Sequence, residues 1–152
     1  MKKTTKKVGM MAASCMLACS SAVMTAQAAS VPNTAVYSAQ HGIMPLWDYV
    51  IMIAANMDIS SSGWTDVFVD IGCDRNSVNK ITALIEVQRL ENRSWKTVKS
   101  WTETSNSSTL AVDKATAVYK GYNYRLKVTV SAYYSSTLLE KVTETFDYGF
   151  YN

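Results

Sequence analysis

Few side chains in this sequence could carry out catalysis. His41 is the only histidine, and the serine or cysteine nucleophile of a hydrolase needs an imidazole beside it. After Ala28 the chain has a single histidine and a single cysteine, which are too few ligands for a zinc site. The sequence contains no glycine-rich phosphate loop, no HExxH motif and no nucleophile elbow. It therefore predicts a protein that is not an enzyme and has no metal ion or cofactor.

Carboxylates are the remaining candidates for chemistry. Asp66 and Asp70 share one face of a predicted strand, and Asp74 follows in the next loop. Two acids about 5–10 Å apart in a cleft can hydrolyse a glycosidic bond, but residues four apart on a strand are separated by about 13 Å. Only Asp74 folded back onto Asp70 could meet that distance. The same loop, with Asn76, could hold calcium, although it lacks the spacing of an EF-hand. Solvated charge at a strand edge is the simpler interpretation of these acids. A hydrolase is therefore the least favoured function for this sequence.

Aromatic residues indicate a binding function, because a flat ring can stack on the apolar face of a sugar. Trp95 and Trp101 are predicted to lie on the same side of one strand, about 20 Å apart by the rise per residue. That distance is too long for two adjacent sugar rings. Packing in the core is the alternative role for tryptophan. The candidate rings are Trp64, Trp95, Trp101, Tyr133 and Tyr134.

Basic residues surround the two tryptophans and could attract an acidic glycan or wall polymer. They could equally keep an exposed strand soluble. Together with Trp95 and Trp101, Arg93 and Lys99 form the predicted binding set. The basic residues are Arg89, Arg93, Lys96 and Lys99.

The segment from Met1 to Ala28 has the three parts of a secretory signal peptide. Four lysines precede an uncharged stretch over residues 8–26, which ends in the cleavage-like sequence Ala26-Gln27-Ala28. We therefore expect a secreted, extracellular protein with no membrane span in its mature chain. Two alternatives stay open: retention of residues 8–26 as a membrane anchor, and lipid attachment at Cys19 within a lipobox-like Met-Leu-Ala-Cys.

Removing this leader changes the charge of the chain. The whole sequence has 15 basic and 12 acidic residues, but four of the lysines belong to the leader. The mature part is close to neutral and has no run of lysine or arginine, so the sequence does not favour nucleic acid as a partner. The predicted partner is an unidentified protein or an envelope glycan.

Cys73 is the only cysteine outside the leader. An odd cysteine in an exported protein is either shielded by burial or paired with another molecule. Cys73 is in phase with Val67, Val69 and Ile71 on an alternating segment, which favours a buried structural role.

Alternation of apolar and polar residues predicts strands rather than helices after an irregular arm over residues 29–45. Residues 60–63, 91–94 and 105–108 have the composition of turns, and residues 54–56 could form a bulge. The domain over residues 46–152 is therefore predicted to be all-β, an antiparallel immunoglobulin-like sandwich of about seven strands. A small closed barrel is the alternative. The predicted strands cover residues 46–59 (as one strand or two), 66–73, 81–90, 95–104, 109–119, 122–132 and 138–148.

Two stretches, WKTVKSWT at residues 95–102 and GYNYRLKV at residues 121–128, resemble small secreted β-sandwich proteins of Gram-positive bacteria, most of them uncharacterised domains of unknown function. The second stretch is also similar to a late strand of immunoglobulin-like or fibronectin type III domains, in which a tyrosine hydroxyl contacts nearby backbone. This resemblance implies a structural role for Tyr122 or Tyr124, although the chain lacks the cysteine pair of antibody domains. Such domains have no established active site, so the resemblance supplies no functional residue. The leading hypothesis is a secreted, non-enzymatic module that acts by surface contact at the cell envelope, and a carbohydrate-binding module is the alternative.

Overall fold

The computed structural model of the protein describes residues 47–152, which form seven antiparallel strands and no helix. Sheet A has the order β1-β2-β5 and sheet B the order β4-β3-β6-β7. The strands are β1 (Val50–Ile59), β2 (Trp64–Cys73), β3 (Lys80–Glu91), β4 (Ser94–Ser105), β5 (Thr109–Ala117), β6 (Tyr122–Tyr134) and β7 (Thr137–Tyr151).

The predicted all-β sandwich is confirmed, and the closed-barrel alternative is wrong, because the strands form two separate sheets. In constant immunoglobulin domains the fourth strand belongs to the sheet of the first, second and fifth. Here β4 pairs with β3 instead. The predicted signal peptide, the arm over residues 29–45, Cys19 and His41 lie outside the described residues.

Alternation explains why these segments form strands. Successive side chains of a strand point to opposite faces, so a sheet with one buried face has an apolar residue at every second position. In β6 every second side chain from Tyr124 to Ala132 is fully buried. The inner faces of the two sheets meet in one core, whose fully buried members include Val67, Val69, Ile71, Ile81, Ile85, Val87, Leu126, Val128 and Val130.

Two short turns are fixed by backbone conformation. Gly63 has a φ of 84°, and a Cβ at this position would collide with the carbonyl oxygen of Val118. Glycine is therefore required between β1 and β2. At the β3–β4 turn, Asn92 and Arg93 both have positive φ, 50° and 63°, as a two-residue type I′ hairpin demands.

Bulges displace some side chains from the predicted alternation. In β1 the register shifts between Val50 and Met52, which leaves Ile51 66% exposed. The prediction of a bulge at residues 54–56 is wrong, because pairing with β2 is regular there. In β7 the register shifts beside Leu139, so Leu138 is 49% exposed and no longer in phase with Val142. Each bulge adds one residue to the strand, so the side chains beyond it occupy the opposite face of the sheet from the one that simple alternation predicts.

Tyr124 ties the start of β6 to the loop that precedes it. Its hydroxyl donates to the carbonyl oxygen of Tyr119 at 2.8 Å and accepts from the N–H of the same residue at 3.2 Å. The Tyr124 side chain is fully buried, and this burial raises the pKa of its hydroxyl. Of the two tyrosines that the resemblance offered, Tyr124 makes this backbone contact. Tyr122 packs edge-on against it, with ring centroids 6.5 Å apart.

Glu140 on β7 fastens the beginning of β1, in a contact that we call the Glu140 clamp. Its carboxylate accepts hydrogen bonds from the backbone N–H groups of Asp48, Tyr49 and Val50 at 3.0, 2.8 and 2.8 Å. Partial burial raises the pKa of Glu140, but the three donors outweigh it, so the pKa lies below its ordinary value. The clamp therefore joins sheet B to the first strand of sheet A through a charged group.

Candidate functional site

The two tryptophans of the β3–β4 hairpin lie on opposite faces of sheet B. Trp101 is directly opposite the fully buried Ile85 and packs against the core. Trp95 is opposite Leu90, on the solvent side. The prediction that both rings lie on the same side of the strand is wrong, and the two cannot form one stacking platform.

A bulge in β4 separates the two rings. Val87 pairs with Lys99 and Gln88 pairs with Thr97, so Val98 is one extra residue in β4. Because side chains alternate along a strand, one extra residue reverses which face every later side chain occupies. Counting residues along the sequence could not reveal this reversal.

The basic residues predicted to accompany the tryptophans do not gather around Trp95. Arg93 lies exposed in the hairpin turn. The Lys99 ammonium lies on the inner side, 5.9 Å from the centroid of the Trp101 ring. The cation that covers Trp95 is Arg125 on β6, whose guanidinium carbon is 4.2 Å from the ring centroid.

A shallow cleft lies beside Trp95 on the outer face of sheet B, with a volume of about 190 Å³. We call it the Trp95 cleft. It combines apolar side chains with an amide and a carboxylate, which can bind hydroxyl groups by hydrogen bonds. Its lining residues are Leu90, Trp95, Asn123, Tyr124, Asp147 and Gly149.

A hydrogen-bonded network next to the cleft uses most of the charged groups at the centre of this face. Arg125 Nε donates to Gln88 Oε1 at 2.8 Å, and Gln88 Nε2 donates to Thr97 Oγ1 at 3.4 Å. Thr97 Oγ1 donates to Glu86 Oε1 at 2.7 Å, and Lys127 Nζ lies 3.0 Å from Glu86 Oε2. Partial burial raises the pKa of Glu86, but the Thr97 and Lys127 contacts outweigh it and lower the pKa below its ordinary value.

The carboxylates considered for hydrolysis have separate environments. Asp70 lies on the outer face of sheet A. Asp74 is engaged in its own loop, where it accepts hydrogen bonds from Ser77 Oγ at 2.6 Å and from the Asn76 N–H at 3.1 Å. These two contacts lower the pKa of Asp74. Neither acid lines the Trp95 cleft.

Cys73 lies at the end of β2 with 6% of its surface exposed and no disulfide. Burial, together with the nearby charge of Glu140, raises the pKa of the thiol to about 11. The thiol is therefore protonated at neutral pH, and it has the character of a structural cysteine rather than a nucleophile.

The outer face of sheet A carries exposed aromatic rings, and we call it the sheet A face. Trp64 is 53% exposed and Phe68 is 50% exposed. Ala117 is directly opposite Trp64, and Asn56 and Asp113 are directly opposite Phe68. No lysine or arginine occurs among the outward residues of these three strands. The outward residues are Met52, Ala54, Asn56, Asp58, Trp64, Asp66, Phe68, Asp70, Gly72, Thr109, Ala111, Asp113, Ala115 and Ala117.

Four aspartates lie on this face, three of them next to Phe68. Asp66 and Asp70 lie two residues before and after it on β2, and Asp113 on β5 is directly opposite it. Asp58 on β1 is directly opposite Asp66. Within residues 47–152 none of the four forms an ion pair or a side-chain hydrogen bond. The sequence placed Asp66, Phe68 and Asp70 on one strand face, but it did not indicate that Asp58 and Asp113 join them from neighbouring strands.

The described part of the chain has neither a metal-binding cluster nor a membrane-spanning helix. No three histidine, cysteine or acidic side chains there are arranged so that they could hold a metal ion. Nor do residues 47–152 contain a helix with the length and apolar character needed to cross a membrane.

Comparison of the chain with models of known protein families, with curated proteins and with solved structures found no match. The function must therefore be argued from the two outer faces themselves.

Proposed function

We propose that the protein is a secreted, non-enzymatic binding module that makes surface contacts at the bacterial cell envelope. The signal-peptide pattern from Met1 to Ala28 supports export. The lack of a catalytic constellation in the sequence supports binding rather than turnover. Together they make the exposed surface the part of the molecule that acts.

The sheet A face is the observation that carries this proposal. Half-exposed Trp64 and Phe68 side chains lie on a regular sheet whose opposite side packs into the core. Large rings on a soluble surface expose apolar area that a partner can bury, and tryptophan is enriched at binding hot spots. Within residues 47–152 the four aspartates of this face form no ion pair and no side-chain hydrogen bond, so their carboxylates are available to a partner.

Binding to purified cell envelopes of the producing bacterium tests the proposal. We expect the exported protein to bind, and Trp64→Ala with Phe68→Ala to weaken binding at least about tenfold, as for hot-spot residues. Tyr119→Ala is the control, since Tyr119 is 74% exposed but lies outside the sheet A face. Equal binding by the wild type, the double variant and the control would contradict the proposal.

A second candidate function is the binding of a glycan in the Trp95 cleft. The specific observation is an aromatic ring beside the Asn123 amide and the Asp147 carboxylate. Small-molecule sites are typically about 300–1,000 Å³. The smaller volume of this cleft suits one sugar ring rather than an oligosaccharide.

Screening the protein against envelope sugars separates the two candidates. Binding that is lost in Trp95→Ala, and retained in Thr102→Ala on the same strand, would support the glycan site. Failure of the wild type to bind any sugar would remove this candidate and leave the first one standing.

A further inference from the structure

The chemistry of the sheet A face defines the kind of partner that fits it. Phe68 has carboxylates on three sides, from Asp66, Asp70 and Asp113. Residues two apart on a strand are about 7 Å apart, and side chains directly opposite each other are about 5 Å apart at Cβ. A single flat cation above the ring of Phe68 could therefore reach more than one of these carboxylates.

The same face places two like charges directly opposite each other, and no cation within the described residues pairs with them. Asp58 and Asp66 are directly opposite each other on β1 and β2. Like charges in this position destabilise a sheet, and among the described residues no cation offsets them. Nor do these acids belong to a group that could hold a metal ion within residues 47–152. Residues 47–152 therefore leave these charges uncompensated.

Several occupants are excluded by charge. A second copy of the chain would bring four more aspartates against the first four, which costs free energy instead of gaining it. Anionic wall polymers, anionic membranes and nucleic acids are repelled in the same way. A neutral glycan could stack on Trp64, but it would leave the four carboxylates partly desolvated and unpaired.

A cationic polypeptide satisfies both features of the face. Guanidinium groups stack on aromatic rings and pair with carboxylates at the same time. Sheet B already contains such stacking, with Arg125 over Trp95 at 4.2 Å and Arg89 over Tyr122 at 4.7 Å. On sheet A the rings and the carboxylates are present, and no lysine or arginine is among the outward residues of β1, β2 and β5.

We propose that the sheet A face docks a cationic polypeptide segment, whose arginine or lysine side chains enter between the aspartates while its apolar residues cover Trp64 and Phe68. This inference rests on the proposed function, because it names the partner of the same face. The partner is a protein, and binding of a neutral envelope component is the competing result that the experiments below distinguish.

The first experiment titrates the isotope-labelled protein with a short synthetic peptide of alternating arginine and leucine, followed by NMR. We expect shifts at outward residues of β1, β2 and β5, an affinity that falls with added salt, and no binding of the matching glutamate–leucine peptide. Asp66→Asn with Asp113→Asn should weaken binding by about tenfold, in line with the loss of two solvent-exposed charge pairs. Glu144→Gln on β7 is the control and should bind as the wild type does. Shifts confined to sheet B, or an unchanged affinity in the double variant, would overturn the inference.

The envelope assay separates this inference from the proposed function. Envelope binding that is lost in the aspartate double variant, as in the aromatic one, supports a cationic partner. Binding that is lost only in Trp64→Ala with Phe68→Ala, and is insensitive to salt, would overturn the cationic partner while the contact function stands. A folding control accompanies both variants: cooperative unfolding in urea should be retained, since all four positions face solvent.

Discussion

The two sheets of this sandwich use charged residues in opposite ways. The strands of sheet B carry seven basic and six acidic residues, whereas those of sheet A carry four aspartates and one lysine. On sheet B, Glu86 accepts a hydrogen bond from Thr97 and pairs with Lys127, and Glu140 accepts hydrogen bonds from three backbone N–H groups. On sheet A, the aspartates have no such partners among the described residues. The partnered carboxylates of sheet B therefore stabilise the fold, whereas the four aspartates of sheet A make no such contact within residues 47–152.

Removing the Glu140 clamp should produce the largest effect. Glu140→Ala is expected to lower the free energy of unfolding by about 2–3 kcal/mol, because three backbone N–H groups lose a charged acceptor. Urea unfolding measures this loss. Glu144→Ala, on the same strand, is the control and should change stability by no more than about 0.5 kcal/mol. Equal losses in the two variants would contradict the role given to the clamp.

Acidification should separate the partnered carboxylates from the others. The pKa values of Glu140 and Glu86 are lower in the folded state than in the unfolded state. The two ionised carboxylates therefore contribute fully to stability above the unfolded-state pKa of 4.5, and this contribution is lost as the pH falls through the folded-state pKa. We expect the stability of the wild type to decline below about pH 4.5. Glu140→Gln should decline less steeply and approach the wild type at the lowest pH. Slopes that match between Glu140→Gln and Glu144→Gln would refute this assignment.

Breaking the network on sheet B should have a moderate effect. Glu86→Ala is expected to lower the free energy of unfolding by about 1 kcal/mol, because the Thr97 hydroxyl and the Lys127 ammonium lose the carboxylate that they contact. A double-mutant cycle with Lys127→Ala should give a coupling free energy of about 0.5 kcal/mol. A coupling of zero would mean that this ion pair contributes nothing to the fold.

Neutralising the sheet A face should have the smallest effect and the opposite sign. Asp66→Asn is expected to stabilise the protein by about 0.2–1 kcal/mol at low salt, because it relieves the repulsion from Asp58. The gain should shrink at 1 M salt, where screening acts over about 3 Å. Asp113→Asn is the matched comparison, because no acid is directly opposite Asp113, and it should gain less. A loss of stability in Asp66→Asn would contradict the view that this face is unpartnered.

The fold could be predicted from the sequence because alternation is a local property. The segment predicted over residues 81–90 corresponds to β3 (Lys80–Glu91), and the segment over residues 95–104 to β4 (Ser94–Ser105). The candidate site could not be predicted in the same way. Val98 occupies a bulge that moves Trp95 and Trp101 to different faces. Bulges depend on pairing between strands, which the sequence of one strand does not specify.

The sheet A face was missed for a related reason. Asp58, Asp66 and Asp113 are far apart in the sequence and meet only because β1, β2 and β5 are neighbours in one sheet. The separate strands gave the correct outward position of Asp66 and Phe68. The strand order, which turns isolated acids into a surface, is a tertiary property and depends on how the whole core is packed.

The buried position of Cys73 makes the reactivity of its thiol a measure of local unfolding in this domain. With a thiol pKa of about 11, only about one molecule in a thousand carries the reactive thiolate at pH 8 while the sandwich is closed. An alkylating reagent therefore modifies this sulfur mainly in molecules whose β2 end has come loose. The rate of labelling reports how often that end opens, with no dye or tag added to the chain.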